Sequence, residues 1–268
     1  MGAAITLAGV PCWVLPLSAG MVWLVTLLLM IVCWAATGSR RYPEMFAKQE
    51  WPYMSNTGAT TWGKPIFVAG STITVLLLCT TFGLERWFRH RRRLIHYKSM
   101  WTAGLFVASA VCTSIGSIAL VFLTIFDVRH HSSIHYPLVA TFLFGYLLAA
   151  CFVCIERKLL SLQYPSNRII RFSFRIKLIF VVMEIVLLCL FAATMYQKIY
   201  GLSVIVEWIV GLFFTFYMWT FAFDFYSVPR KSRELRQLRI RHWNEGGAVT
   251  APRQARVRFA VDGYTELP

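Results

Sequence analysis

Six long apolar runs, separated by polar gaps, constrain this chain more than any other feature. A nearly uncharged run of about 18 or more residues is the signature of a helix that crosses a membrane. Only 15% of the residues are charged, whereas soluble domains carry about a quarter. The sequence therefore predicts an all-α integral membrane protein with a six-transmembrane-helix bundle. The predicted spans are about 13–36, 65–84, 101–126, 137–155, 178–196 and 202–226.

The polar gaps predict how the bundle crosses the membrane. Most of the 27 Lys and Arg residues lie after the second run, after the fourth run and after the sixth run. Cytoplasmic loops are the ones enriched in Lys and Arg. We therefore expect both termini in the cytoplasm and the His-rich turn between the third and fourth runs outside. This clustering favours membrane orientation over nucleic-acid binding as the meaning of the +15 net charge.

The chain divides into a membrane domain, residues 1–228, and a basic cytoplasmic tail, residues 229–268. We expect a short juxtamembrane helix at the start of the tail. The rest is polar and lacks apolar periodicity, so we expect it to be largely disordered.

Polar side chains at the predicted outer ends of several spans indicate a candidate site. Glu207 lies near the outer start of the sixth span, and a carboxylate inside hydrocarbon is costly unless it is paired, hydrated or protonated. The His-rich turn and the long first outer loop reach the same side. Two alternatives stay open, an outward polar pocket and a His–Glu contact that only supports packing. The pocket candidates are Ser55, Asn56, Asp127, His130, His131, His135 and Glu207.

Other candidate chemistry is weaker. Glu184 is a second intramembrane acid, and the absence of titratable partners at its depth favours structural hydrogen bonding over a proton relay. His131 and His135 have the i,i+4 spacing of paired metal ligands, but we predict no metal and no cofactor. No catalytic motif singles out a nucleophile and its base. We therefore predict a protein that is not an enzyme.

Basic side chains beside the inner membrane surface predict contacts with anionic lipids. Each Lys or Arg near anionic headgroups is worth about 1 kcal/mol, and clusters of this size are typical of phosphatidylserine or phosphoinositide sites. Topology alone explains the loop charges, but it explains the tail less well. The candidate lipid or partner contacts are Arg86, Arg89, Arg91, Arg92, Arg93, Lys98, Arg230, Lys231, Arg233, Arg236, Arg239 and Arg241.

Several short motifs resemble those of the Frag/DRAM/Sfk family of six-span membrane proteins. Residues 51–58, W-P-Y-M-S-N-T-G, resemble the family signature P-Y-I-S-D-T-G, with Asn56 in place of its Asp. The blocks at 85–90 and 214–217 look most like the fungal Sfk branch. The resemblance covers about residues 20–228. Further matches are 64–67, Phe126-Asp127 with His131 and His135, 173–178, and Glu207-Trp208.

The resemblance implies a function that the residues alone do not give. For the Sfk branch it implies a non-catalytic plasma-membrane protein that supports a phosphatidylinositol 4-kinase complex and the phospholipid organisation of the membrane. The DRAM and Frag branches imply Golgi, endoplasmic reticulum or lysosome/vacuole membranes, autophagy, or remodelling of GPI-anchor lipids. A membrane enzyme or lipid transporter that uses the pocket around Glu207 and His135 is the alternative function.

Overall fold

The computed structural model of the protein describes residues 6–7, 9–47, 49–91, 94, 100–165 and 167–226. A short antiparallel hairpin, β1 (Thr6–Leu7) and β2 (Val10–Pro11), precedes the helices. A 3-10 turn, Phe221–Tyr226, follows the last helix. The predicted tail lies outside the described residues. The helices are α1 (Val14–Ala36), α2 (Met54–Gly58), α3 (Gly63–His90), α4 (Met100–Ile125), α5 (Ser132–Gln163), α6 (Arg168–Tyr196) and α7 (Tyr200–Thr220).

Six of these helices, all except α2, are long and apolar enough to cross a membrane. This confirms the predicted six-helix membrane bundle. The orientation of its termini stays a prediction. We call the predicted cytoplasmic side the inner end; it holds the starts of α1, α4 and α6 and the ends of α3, α5 and α7. The opposite side is the outer end.

The six long helices form a closed ring. Each packs against its neighbour in the chain, and α7 returns to pack against α1. The indole N–H of Trp23 in α1 donates a 3.1 Å hydrogen bond to the carbonyl of Gly211 in α7. Because lipid tails are as apolar as Leu side chains, such packing and hydrogen bonds, rather than the hydrophobic effect, hold membrane helices together.

A row of small residues on the third span, Gly104, Ala108, Cys112 and Gly116, predicts close approach of another helix. The structure shows this approach at one end of the row. A Cβ added at Gly145 of α5 would lie 3.0 Å from the Gly116 Cα and 3.2 Å from the Cys112 carbonyl oxygen. At Gly104 the same addition would meet nothing within 4 Å. Of the two glycines in this row, Gly116 therefore mediates a close helix approach and Gly104 does not.

Three helices are longer than a membrane requires. Helices α3, α5 and α6 have 28, 32 and 29 residues, or roughly 42–48 Å at about 1.5 Å per residue. The hydrocarbon core is only about 30 Å thick. Residues 85–90 of the first basic inner gap and most of the second, 156–177, are therefore helical. The charged side chains in these helical parts are consequently fixed to the ends of α3, α5 and α6.

Candidate functional site

The first outer loop is ordered around the short helix α2. The side-chain oxygen of Asn56 accepts hydrogen bonds from the Tyr53 backbone N–H and from Nε2 of Gln49, both at 2.9 Å. Asn56 and Gln49 are almost fully buried. Asn56, a predicted pocket residue, therefore stabilises the loop from inside and does not line the cavity described below.

Glu207 fastens this loop to the start of α7. Its Oε2 accepts a 2.9 Å hydrogen bond from the N–H of Met54, the first residue of α2. The next residue, Trp208, donates from Nε1 to the Pro52 carbonyl at 3.0 Å. The first N–H groups of a helix have no partner within it. The Glu207 carboxylate, from a distant part of the chain, is the hydrogen-bond partner of the first N–H group of α2.

His135 lies in the first turn of α5, because that helix begins at Ser132, five residues before the run predicted from Pro137. Its Nδ1 lies 2.8 Å from the Phe126 carbonyl oxygen. A carbonyl can only accept, so Nδ1 carries a hydrogen, and in the neutral ring Nε2 is then an acceptor. The side chain is 2% exposed. Its Nε2 has no hydrogen-bond partner within the described parts of the chain.

Ser55, His135 and Glu207 line one cavity of about 110 Å³. Glu184 of α6 lines it as well. Most of the remaining wall is apolar and comes from α5, α6 and α7, with Phe142, Leu188, Phe191 and Phe214 among its residues. Mostly apolar walls with a few polar groups are typical of ligand sites. Glu184 thus lines the same cavity as two other titratable side chains, His135 and Glu207.

Asp127 and His131, two further pocket candidates, do not line this cavity. Asp127 accepts from Lys64 Nζ at 2.7 Å and from the His130 backbone N–H at 2.9 Å. Burial raises the pKa of Asp127, but these hydrogen bonds outweigh it and hold the pKa well below its usual range. His131 is exposed, and its ring packs against Phe126. His130 is also exposed, and its Nδ1 lies 2.8 Å from Asp127 Oδ1.

A second polar cluster, the inner ion network, lies at the other end of the bundle. Glu85 of α3 accepts from Arg89 Nη2 at 2.6 Å and from Arg157 of α5. Arg157 also contacts Asp224, in the turn after α7, at 3.2 Å. All four side chains are 1–2% exposed. Sequence reasoning missed this network, and it placed Arg89 among the lipid contacts, whereas the structure places Arg89 inside the protein.

Helix α6 completes the network through Lys177. Its Nζ lies 3.1 Å from Asp224 Oδ2 and donates to the Thr220 carbonyl at 3.1 Å. The Ser173 hydroxyl donates to Asp224 Oδ1 at 2.6 Å. Glu156 lies 3.6 Å from Arg157. One signal was available in the sequence, because Asp224 lies inside the sixth apolar run just as Glu207 does.

At the inner end, the described acidic side chains are buried, whereas several basic side chains are exposed. The acids at this end, within the described residues, are Glu85, Glu156 and Asp224, and all are buried. Exposed Lys and Arg side chains surround them on α3, α5 and α6 and just after α3. The exposed charge in the described part of this end is therefore positive. We call this set the basic collar; it consists of Arg86, Arg91, Lys158, Arg168, Arg171 and Arg175.

Arg86 and Arg91 of the collar were predicted as lipid contacts, and the other four collar residues were not. The remaining predicted contacts, Arg92, Arg93, Lys98 and the six tail residues from Arg230 to Arg241, lie outside the described residues. Across the described ranges, no group of three or more His, Cys, Asp or Glu side chains is placed to hold a metal ion.

These features define an integral membrane protein of the six-span helical class, with an apolar outer cavity and a buried ionic cluster at its inner end. Residues 11–228 match the model of the Frag1/DRAM/Sfk1/Cwh43P N-terminal domain. The chain belongs to this family, as its motifs predicted.

Two fungal relatives are similar to this chain at low identity. Protein sfk1 of Schizosaccharomyces pombe is 24% identical over 215 residues, which cover 78% of this chain and 62% of that protein. Protein SFK1 of Saccharomyces cerevisiae is 26% identical over 181 residues, which cover 58% of this chain and 51% of that protein. The matches thus span about half to three fifths of these relatives' lengths. No solved structure matches the chain.

Proposed function

We propose that the protein is a non-catalytic regulator of phospholipid organisation in the plasma membrane. The basic collar is the observation that carries this proposal. Its six exposed cations lie on one end of the bundle, where anionic headgroups would attract them by about 1 kcal/mol each. Because the acids of that end that the structure describes are buried in the inner ion network, they oppose this attraction little.

The proposed partner is a phosphatidylinositol 4-kinase complex. The resemblance of the motifs to the Sfk branch implies this choice, and the collar offers a physical basis for it. A surface that concentrates phosphoinositide precursors and products beside the protein would serve such a complex. In this proposal the protein holds lipid and partner together and carries out no chemical step.

Replacing Arg168, Arg171 and Arg175 with Gln tests the collar. At about 1 kcal/mol per charge, we expect the full chain to bind phosphatidylcholine vesicles containing phosphatidylserine or phosphatidylinositol 4-phosphate at least tenfold more weakly. Binding to pure phosphatidylcholine should not change. Co-purification of the lipid-kinase complex from cells should fall in parallel.

The matched control replaces Arg40 and Arg41 with Gln. Both residues are exposed but lie at the outer end, just after α1. This variant should bind anionic vesicles as the unchanged protein does. Equal loss in the control and in the collar variant, or no loss in either, would contradict the proposed role of the collar.

A second candidate function is a membrane enzyme or lipid transporter that works at the outer cavity. The convergence of His135, Glu184 and Glu207 on one cavity favours it. Buried titratable groups in a cavity are typical of functional sites, although structural pairs also occur. This function would depend on the Glu207 carboxylate, whereas the collar would be secondary.

A further inference from the structure

A groove lies between α1 and α6 at the inner end of the bundle. Both helices pack against α7, and residues of all three helices and of the 3-10 turn line the groove. Its volume is about 430 Å³, within the range of about 300–1,000 Å³ that is typical of ligand sites. Two of its lining residues, Phe216 and Phe223, are exposed, so the groove opens on the surface of the protein. Most of its wall is apolar or aromatic.

Contacts between α1 and α7 fix one side of this groove. Trp219, a lining residue, donates a 3.2 Å hydrogen bond from Nε1 to the Leu17 carbonyl. Gly20 of α1 allows this approach, because a Cβ added there would overlap with the Trp219 indole. The Trp219 ring is thus held against α1, and the groove has a defined wall on that side.

Exposed arginines border the other side. Phe172 of α6 packs edge-to-face against Phe223, with ring centroids 5.2 Å apart. It follows Arg171 directly and precedes Arg175 by three positions, which makes both arginines its neighbours on the helix surface. Arg168, Arg171 and Arg175 have i, i+3, i+7 spacing and therefore share one face of α6. All three are exposed, so a row of positive charge runs beside the groove.

The groove extends from the level of these arginines towards the membrane centre. On α6 it is lined by Ile176 and Phe180, one and five residues beyond Arg175, or roughly 2–8 Å at about 1.5 Å per residue. The apolar run of the predicted fifth span begins over the same stretch, at residue 178. Amphipathic rings, which are enriched where headgroups meet hydrocarbon, line the groove as well; they are Trp13, Trp219 and Tyr226.

We propose that this groove holds an acyl chain of one anionic phospholipid while Arg168, Arg171 and Arg175 bind its headgroup. Such a lipid has its anionic part at the membrane surface and its chain below, which is how the arginines and the groove are arranged. Arginine is well suited to phosphate, because its guanidinium can donate two parallel hydrogen bonds. A zwitterionic phospholipid has the chain but no net charge for the arginines.

This inference rests on the proposed function, because it uses three residues of the basic collar, and it adds a defined site for a single lipid molecule. A collar that acted by surface charge alone would attract any anionic group near the inner end. The proposed site requires both parts of the lipid, the charged headgroup and the chain. The two ideas therefore make different predictions.

Photocrosslinking locates the bound chain. The full-length protein is placed in phosphatidylcholine nanodiscs with a trace of phosphatidylinositol 4-phosphate that carries a diazirine in one acyl chain, or of phosphatidylcholine labelled in the same way. We expect the anionic probe to crosslink to groove residues such as Phe216 and Phe223 at least about tenfold more, because basic side chains attract anionic headgroups. Unlabelled phosphatidylinositol 4-phosphate should compete. Its deacylated headgroup at the same concentration should not, because it has no chain.

Variants separate the groove from the arginines. Ala222→Leu and Leu17→Trp fill the groove from different elements, and the Leu17 backbone carbonyl is retained in the second. Either one that folds should lower the groove crosslinks of the anionic probe by roughly tenfold, because the chain loses its apolar contacts, and should leave binding to anionic vesicles unchanged. Replacing the three arginines with Gln should lower both. Ala193→Leu is the matched control, because Ala193 is exposed near the outer end of α6 and does not line the groove.

The inference is overturned if both probes crosslink equally to the groove, if the deacylated headgroup competes, or if filling the groove leaves the crosslinks unchanged. In these cases, binding to anionic vesicles that still depends on the three arginines would leave the collar proposal standing. An arginine variant that changes neither crosslinking nor vesicle binding would overturn both.

Discussion

Glu207 serves two parts of the structure with one side chain. Its carboxylate accepts from the Met54 N–H and thereby holds α2 against α7, and it also lines the outer cavity. The partial positive charge at the start of a helix favours a carboxylate there. Glu207 can therefore support packing and line a binding site at the same time. Packing needs only an acceptor oxygen for the Met54 N–H, whereas a function at the cavity would depend on the carboxylate charge.

Glu207→Gln removes the charge and keeps an acceptor oxygen, whereas Glu207→Leu removes both, so the two variants separate the role of the charge from that of the hydrogen bond. The Gln oxygen still accepts from Met54, so we expect thermal unfolding in micelles close to that of the unchanged protein. Leu leaves this N–H without a partner, which costs about 1–3 kcal/mol. If Gln destabilises as much as Leu, the charge itself is structural. If Gln abolishes lipid transfer in proteoliposomes while the fold is kept, the enzyme or transporter function is supported instead.

Arg89 shows how the position of one residue on a helix decides its environment. It lies four residues after Glu85, on the same face of α3, and that face points into the bundle. Arg86 and Arg91 lie beside it in the sequence but are exposed. The basic stretch after the second span thus contributes partly to the exposed surface and partly to the interior of the protein.

At the scale of elements, the inner ion network joins α3, α5, α6 and the turn after α7. Arg157 connects Glu85 to Asp224, and Asp224 connects to Lys177. Among the described residues, three acids and three basic side chains contribute, and their formal charges balance. A buried charge left without its partner is costly. The network therefore favours one arrangement of these four elements.

Glu85→Gln should destabilise the bundle by about 3–5 kcal/mol, because it leaves Arg89 and Arg157 buried without their shared carboxylate. Denaturant unfolding of the purified chain in micelles measures this change. Lys158→Gln is the control, since Lys158 follows Arg157 but is exposed. A loss of similar size in both variants would show that the network has no special role.

At the scale of the whole molecule, the two ends differ in which charged side chains are buried, paired or exposed. Within the described residues, the inner end buries its three acids together with three cations and exposes the six cations of the basic collar. At the outer end Lys64 pairs with Asp127, and Arg129 lies 3.9 Å from Glu44. Anionic lipids are concentrated in the cytoplasmic leaflet. This asymmetry agrees with the orientation predicted from the loops.

Site-directed labelling tests that orientation. Ser132→Cys, at the exposed start of α5, should react with a membrane-impermeant maleimide in intact cells. Arg91→Cys, at the exposed end of α3, should react only after the membrane is permeabilised. The parent chain, with its own cysteines, provides the background. The reverse pattern would place the basic collar outside the cell and remove the basis of the proposed function.

The site was predicted only in part, for reasons that individual residues make plain. Ser55, His135 and Glu207 meet in one cavity, because the predicted topology brings their segments to the same end. Asn56 and Asp127 reach that end too, but local hydrogen bonds with Tyr53, Gln49 and Lys64 engage them elsewhere. Shared membrane depth is visible in a sequence, whereas the direction of a side chain is not.

The sequence by itself determined the six spans, the family and the concentration of basic residues in alternate gaps. Apolar length and charge are local properties, so they can be read without knowing which helices touch. Only the tertiary structure decided that Glu184 joins the outer cavity and that Arg89, Arg157 and Lys177 turn inward to Glu85 and Asp224. Those outcomes depend on how each helix is rotated against its neighbours, which the packing of the closed ring decides.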